Sequence, residues 1–511
     1  MKSSHTHQLR IFLAGLLVLG VVLLLAVTVK TNNPEHPWQL TNTSEVGGPF
    51  ESSNTAARYA LVQAIVENNS FALTAEQARL AVPDMVEKDG RFLISFTPGI
   101  SMVAALFYRI GRLGDMAALA TTAFSISWAF INGVLLYVLA KKIGEATLPA
   151  AISAGIFLFA TNALVYAPTL TQHHASTMIL LLALLNALEK RTWWRNALFG
   201  LYSGLGILFD IPNAFLLFPI GLYIVSQHIS ATRRSEKLSV SLRTSFVWIV
   251  IGMLPLALIF MRYNQLTMGS VSTLAQFSPR SNYFDTAEKK QADAMRSAKH
   301  DAYQSTLPFN TRQQLEGAYI LLLSDERGWL WYSPVLILGM VGLWWLYKKN
   351  PTACVLIVSV ISVNLVIYSM FGDPWGGWSF GPRYLIPAAA LLSAASSLTL
   401  TKYGKSYLWS LVFFVLIGYS VAISSAGALT SALIPPKQES QALVAYIPWT
   451  YKYNFLLLQG NKSQSLVYQL GMKKYLTASQ FYLLYVSLIL GSFLVMMLCM
   501  SYTLRKKTHV R

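Results

Sequence analysis

Acidic residues are scarce in this chain: 22 Asp and Glu stand against 40 Lys and Arg, and charged residues of both signs make up only 12% of 511 positions. Soluble globular proteins carry about 25% charged residues. With 54% hydrophobic residues and a mean hydropathy of +0.46, the chain has too little polar surface to cover a water-soluble fold of this length. Lipid is the expected solvent for most of it. Cysteine is nearly absent as well. Cys354 and Cys499 both lie inside apolar runs, which excludes a disulfide framework and a cysteine metal site. No Rossmann or phosphate-loop glycine motif occurs, and no internal repeat or low-complexity segment is evident. The net charge of +18 does not indicate nucleic acid, because no basic polar domain gathers it. The basic residues sit instead in short loops between apolar runs, as the positive-inside rule describes.

Those runs lie near 11–29, 116–139, 147–168, 174–189, 196–209, 213–227, 245–261, 330–347, 352–371, 384–400, 406–430 and 480–503. The first is too long for a signal-peptide core and lacks a small-residue cleavage site, so it reads as a retained span. Basic groups then set the sides. Lys2 and Arg10; Lys141 and Lys142; Lys190, Arg191 and Arg195; Arg233, Arg234, Lys237 and Arg243; Lys348 and Lys349; Lys402 and Lys405; and Arg505, Lys506, Lys507 and Arg511 all fall on one side if segment 97–112 does not cross. The short connections on that side carry three acids, Glu145, Glu189 and Glu236. The expectation is an all-α polytopic membrane protein of about twelve spans in the plasma (inner) membrane, with both termini cytoplasmic. Segment 97–112 would be re-entrant or surface-lying, opened by Pro98-Gly99 and ended by Arg109 and Arg112. Residues 1–430, with outward loops 30–115 and 262–329, form the expected catalytic module. Residues 431–511 add an outward loop, the last span and a cytoplasmic tail.

Nearly all the acids lie on the outward side, and loops of such length between spans are usually folded or functional. The pattern over Tyr59 to Phe71 predicts an amphipathic helix lying at the interface. Around it stand Glu51, Asn54 and Arg58, then Asp84, Glu87, Asp89 and Arg91, just before Phe96-Thr97-Pro98-Gly99. A solvated loop accounts for any single acid here. A carboxylate held at the membrane surface also suits a general base.

Thr171-Gln172-His173-His174 opens an outward-to-inward span. Adjacent helical residues point about 100° apart, so only one histidine faces a given pocket. Interfacial polarity explains such a pair equally well; in function they would bind phosphate or a hydroxyl, or ligate a metal with loop carboxylates. Asp210-Ile211-Pro212-Asn213 interrupts an apolar stretch, and an acid beside broken helix at membrane depth is tolerated only where it lines protein or water.

The most specific string is Gly372-Asp373-Pro374-Trp375-Gly376-Gly377-Trp378-Ser379-Phe380-Gly381-Pro382-Arg383-Tyr384. Trp and Tyr there would be ordinary belt residues. Four glycines, two prolines and an arginine at a span opening are not. Glycines let backbone approach a ligand, Trp375 and Trp378 offer faces for sugar rings, and Arg383 presents a fork of donors matched to phosphate.

Together, RYALVQAIVENNSFAL, DGRFLISFTPGIS, TQHHAST and GWSFGPRYLIP resemble bacterial and archaeal glycosyltransferases of the GT-C superfamily, in its protein-mannosyltransferase-like and aminoarabinose-transferase-like branch. The resemblance covers roughly residues 50–400. It implies a membrane-buried helical fold, a polyprenyl-phosphate sugar donor, a glycan, lipid or protein acceptor, and inverting transfer outside the cytoplasm. A divalent metal is left open. The Asp-Glu pair that many members carry after the first span is missing here; Glu51 lies closest to its place, but Asp84, in the Pro-Asp stretch before the lipid-facing entry, is the first choice as base, with Glu51 and Asp89 close behind. Arg383 is the first choice for the donor phosphate, then Arg58, with His173 and His174. Asp210, Asp373, Trp375, Trp378 and Tyr384 would shape the pocket. The competing readings are a transporter or flippase of lipid-linked saccharides, a polymerase or ligase taking a lipid-diphosphate donor, and a silent scaffold.

Overall fold

The computed structural model describes residues 15–234, 237–242, 244–281, 283 and 314–509, with side chains omitted over 230–243 and 507–509. The basic residues Lys2, Arg10, Arg243 and Arg511, and residues 282 and 284–313 of loop 262–329, lie outside the described residues. The fold is an all-α bundle. Among the described residues, six helices are long and apolar enough to cross a bilayer: Ala117–Gly144, Thr244–Met268, Pro351–Ser369, Arg383–Tyr403, Tyr407–Leu429 and Ala478–Lys506. Shorter apolar helices are Gly15–Ala26, Thr147–Phe159 and Asn213–Ser226. Gln172–Ala187, Trp193–Phe209 and Ile337–Lys349 occupy the remaining expected spans.

One helix is the hub. The apolar window of Arg383–Tyr403 is 89% buried, whereas that of Thr244–Met268 is 0% buried and faces outward from the bundle. The hub sequence AAALLSAASS explains its place: small side chains let neighbours approach to backbone contact, the usual basis of helix association in lipid. Gly339 and Gly342 of Ile337–Lys349 pack on its Leu392 and Ala395 carbonyls, where an added Cβ would meet oxygen at 2.1 and 2.0 Å. Ser153 and Ser396 hydroxyls meet at 2.9 Å, tying Thr147–Phe159 to the hub.

Several expected boundaries move. The run 147–168 is one helix only to Phe159; Thr161 turns its hydroxyl back to the Phe157 carbonyl, and a short helix Ala163–Tyr166 follows. The run 330–347 is cut at Ser333-Pro334, so its regular helix begins at Ile337. Two antiparallel hairpins interrupt the helical fold: Met85–Lys88 with Arg91–Ile94, and Ile229–Arg234 with Lys237–Leu242. The first turns at Asp89-Gly90, both with positive φ (52° and 72°), as a tight hairpin turn requires.

The outer loop differs from expectation in burial. Its helix, Ser53–Glu67, does not leave one apolar face uncovered by protein. Asn54 through Val62 are all buried, because Ala56, Ala57, Ala60 and Ala64 leave room for neighbours. Helices Ala75–Ala81 and Gly99–Gly111 cover it. Gly99–Gly111, running from Pro98 to Arg112, buries Ile100, Ala104 and Tyr108 and exposes Leu106 and Ile110. Its 13 residues rise about 20 Å, short of a hydrocarbon core of about 30 Å.

Candidate functional site

The site lies where the outer-loop helix, the openings of two bundle helices and the 372–384 loop meet. Arg58 comes from Ser53–Glu67 and is fully buried. Its Nη1 donates to the Asn54 side chain and, at 3.3 Å, to the Asn54 carbonyl, and its guanidinium stacks over Phe96 at 4.2 Å. Its Nε and Nη2 have no partner among the described residues. Burial pulls its pKa from the ordinary 12.5 down to about 10; Asp210 and Asp84 oppose that fall and Arg383 adds to it. At 1.36 kcal/mol per pH unit, keeping this buried charge costs about 3 kcal/mol, which an arriving anion would offset.

Thr97 and Gly99 place the neighbouring acid. The Thr97 hydroxyl donates to the Phe209 carbonyl at 2.8 Å, and Gly99 lies so close to Leu208 that a Cβ would meet its oxygen at 2.5 Å. Phe209 ends its helix, and Asp210 caps it, 6% exposed. The Asp210 carboxylate lies close to Gln172 and within electrostatic reach of Arg58 and Tyr384.

The two histidines part company. The His174 Nε2–H donates to the Ala163 carbonyl at 2.8 Å, and Nδ1 accepts from Asn132 Nδ2 at 3.2 Å. This ring is a structural tie. His173 is buried edge-on to Tyr166 (5.2 Å between centroids) and Tyr384 (6.4 Å), and its Nε2 has no partner among the described residues.

In the 372–384 loop, Gly376 and Gly377 adopt φ of +72° and +64°. A Cβ at Gly376 would come within 2.8 Å of Arg383 Nε, so glycine there leaves the guanidinium its place. The Arg383 guanidinium lies 5.4 Å from the centroid of the Tyr384 ring, which stacks on Tyr368 at 4.4 Å, and the buried Arg383 Nε is unpartnered among the described residues. Asp373 lies near enough to act electrostatically on Arg383 and Tyr384. Trp375 Nε1 donates to Glu326 at 2.9 Å and Trp378 Nε1 to Glu439 at 2.7 Å. A narrow cleft runs past Arg383, Trp378, Tyr166, Thr171, Thr55 and Glu51.

The three candidate bases end in different settings. Glu51 lines the cleft, but both its oxygens are occupied: Oε1 accepts from Lys30 (3.0 Å) and Ala432 N (2.8 Å), Oε2 from Gly47 N (2.7 Å) and Ser431 (2.6 Å). Asp84 is buried, accepts from Ser53 at 2.7 Å and pairs at 3.1 Å with the exposed Arg280. Asp89 sits at the exposed hairpin turn and is not brought to the cleft.

Sequence reading overlooked Arg327. It is fully buried and, with no carboxylate partner among the described residues, donates to the carbonyls of Trp375 (3.2 Å), Gly377 (3.3 Å), Ile434 (2.8 Å) and Glu326 (2.7 Å). An arginine in SDERGWLWYSP, just ahead of an apolar run, was the available signal. Among the described residues no three His, Cys, Asp or Glu side chains converge as metal ligands.

No family model matches the chain, and no curated protein matches it in sequence. Among solved structures it is similar to ArnT from Cupriavidus metallidurans in the apo state, with a TM-score of 0.49 and 12% identity over 98% of this chain and 77% of that one. The same protein bound to undecaprenyl phosphate gives 0.48 and 13%, over 96% and 78%. The Archaeoglobus fulgidus oligosaccharyltransferase gives 0.47 and 14%, over 83% and 54%.

Proposed function

We propose that this chain is a GT-C-type membrane glycosyltransferase, which moves a sugar from a polyprenyl-phosphate donor to an acceptor hydroxyl on the outer side of the membrane. The observation that carries this reading is the convergence of Arg58 and Arg383, each with a buried guanidinium N–H lacking a partner among the described residues, beside the unpartnered His173 Nε2. A buried donor left unsatisfied costs about 1–3 kcal/mol. A phosphate monoester or diester supplies acceptors for such donors, and guanidinium forks match its geometry.

The chemistry follows from the charges. The acceptor oxygen bonds to the anomeric carbon on the face opposite the leaving phosphate, and the carbon–oxygen bond to phosphate breaks with its electron pair. The departing phosphate gains a negative charge. Arg58 and Arg383 therefore attract the transition state more strongly than the ground state, which is how electrostatic preorganisation accelerates a step. The acceptor proton passes to a carboxylate. Asp84 remains first choice, since Arg280 beside it is 58% exposed and free to swing away, whereas four donors already occupy Glu51. Glu51 is assigned instead to fixing the loop, and Asp210 to holding Arg58 and Gln172.

Arg383→Ala should lower transfer by roughly 100-fold or more, the usual effect of deleting one oxyanion donor, with abundance in membranes little changed. Mass spectrometry of envelope glycans with and without the protein identifies the product, and membranes carrying the variant give the rate. Full activity in Asp84→Asn would move the base to Glu51 or Asp89, which Glu51→Gln and Asp89→Asn separate. Passage of intact lipid-linked sugar across the membrane with no covalent transfer would overturn the reading.

A further inference from the structure

Beside the Arg383 cleft, three tryptophans from two segments share one arrangement. Trp375, Trp378 and Trp449 each turn the indole N–H onto a carboxylate of the protein: Glu326 (2.9 Å), Glu439 (2.7 Å) and Asp325 (3.1 Å). A belt tryptophan behaves differently, since it directs its N–H to lipid headgroups and water. Tying the N–H down within the protein fixes each ring plane.

The frame beneath is rigid. Arg327 binds the Trp375 and Gly377 carbonyls, and the same guanidinium holds Ile434. Ser379 N donates to the Ile434 carbonyl at 3.0 Å, which joins the tryptophan loop to the segment bearing Lys437 and Glu439. Lys437 N donates to the same Glu326 oxygen that receives Trp375, at 2.7 Å. Oriented aromatic faces on a preorganised frame bind rigid ligands at low entropic cost.

Resting on the transferase reading above, we infer that Trp375, Trp378 and Trp449 with Asp325, Glu326 and Glu439 form the acceptor subsite, and that its acceptor is an uncharged saccharide. The apolar face of a pyranose stacks on an indole, while ring hydroxyls donate to the carboxylates that already orient the indoles. Charge disfavours an anionic acceptor: three carboxylates line the platform, Lys437 lies over the Trp449 ring at 5.2 Å, and the buried Arg327 guanidinium beneath is already engaged by four carbonyls. Continuity supports the assignment, because Trp378 lines the cleft that Arg383 also lines. A sugar stacked there brings a hydroxyl toward the donor phosphate site.

The test is saturation-transfer NMR on the full chain in lipid nanodiscs, with maltotriose, cellotriose and mannotriose as neutral probes and trigalacturonate as the anionic one. Ring C–H protons of at least one neutral trisaccharide should receive saturation, and trigalacturonate should not. Trp378→Ala should weaken binding roughly fivefold or more, while Trp378→Phe, which keeps a stacking face, should retain most of it. Unchanged thermal melting of both variants shows that the fold is intact. Binding of no neutral probe, binding unaffected by Trp378→Ala, or preference for trigalacturonate each overturns the inference. Glycan analysis separates the two readings: transfer that persists in Trp378→Ala removes this subsite alone, whereas saccharide binding without any transfer removes the transferase reading alone.

Discussion

At the scale of single residues, two neighbours of one type have opposite fates. Helical geometry makes the divergence of His173 and His174 legible in sequence, since only one can face the pocket. Which one could not be read. The answer depends on the Asn132 amide and the Ala163 carbonyl, delivered by other segments. His174→Ala would leave the buried Ala163 carbonyl without its donor, at about 1–3 kcal/mol, and Asn132 Nδ2 with only the backbone carbonyl of residue 174 at 2.8 Å. Thermal unfolding in detergent should therefore drop by several degrees for His174→Ala, while His173→Ala leaves it nearly unchanged and instead weakens capture of a polyprenyl phosphate. Equal destabilisation by the two changes would refute the division. Glu51 teaches the same lesson: two of its four donors come from Ser431 and Ala432, 380 and 381 positions away, so its saturation was invisible in the loop's own sequence.

At the scale of elements, the 372–384 loop announced itself through composition. Glycines beside an arginine at a span opening implied close backbone approach, and Gly376 sits where a Cβ would strike Arg383 Nε. What holds the loop did not announce itself, because a buried arginine that binds only carbonyls has no charge partner to search for. Arg327→Leu removes the donors for four carbonyls at once. Limited proteolysis should then cut within 372–380 while the helical circular dichroism is unchanged, and polyprenyl-phosphate affinity should fall about tenfold. A loop as protected as in the parent protein would mean that Arg327 is dispensable. The outer helix shows the limit of periodicity. Ala60, Leu61 and Ala64 suggested one apolar face, but alanine also marks positions where helices pack closely, and here neighbours cover nearly the whole surface.

At the scale of the molecule, the basic groups assigned to one side from charge alone do meet in space. Lys142 pairs with Glu189 at 2.6 Å, Arg195 with Glu189 at 3.5 Å, Lys349 with Glu145 at 2.8 Å, and Arg505 binds the Lys405 carbonyl at 2.8 Å. Glu51, Arg58, Asp210 and Arg383 gather elsewhere, at the opposite ends of these helices. Charge sorting can expect such a division because each basic residue must avoid hydrocarbon whatever its packing. Span number is harder, since helices such as Thr147–Phe159 and Gly99–Gly111 have the same 13-residue length in different settings. Two labels decide it. Cysteine placed at Gly90, on the exposed hairpin turn, should react with an impermeant maleimide in intact cells, and cysteine at the exposed Glu145 only after permeabilisation, in a background where the exposed Cys499 is replaced by serine. Opposite sides for 90 and 145 require an odd number of crossings between them. Ala117–Gly144 supplies one, so Gly99–Gly111 would not cross, and the groups gathered around Arg383 would face outward. Labelling of both positions from the same side would make Gly99–Gly111 a span and invert the sidedness of everything after it.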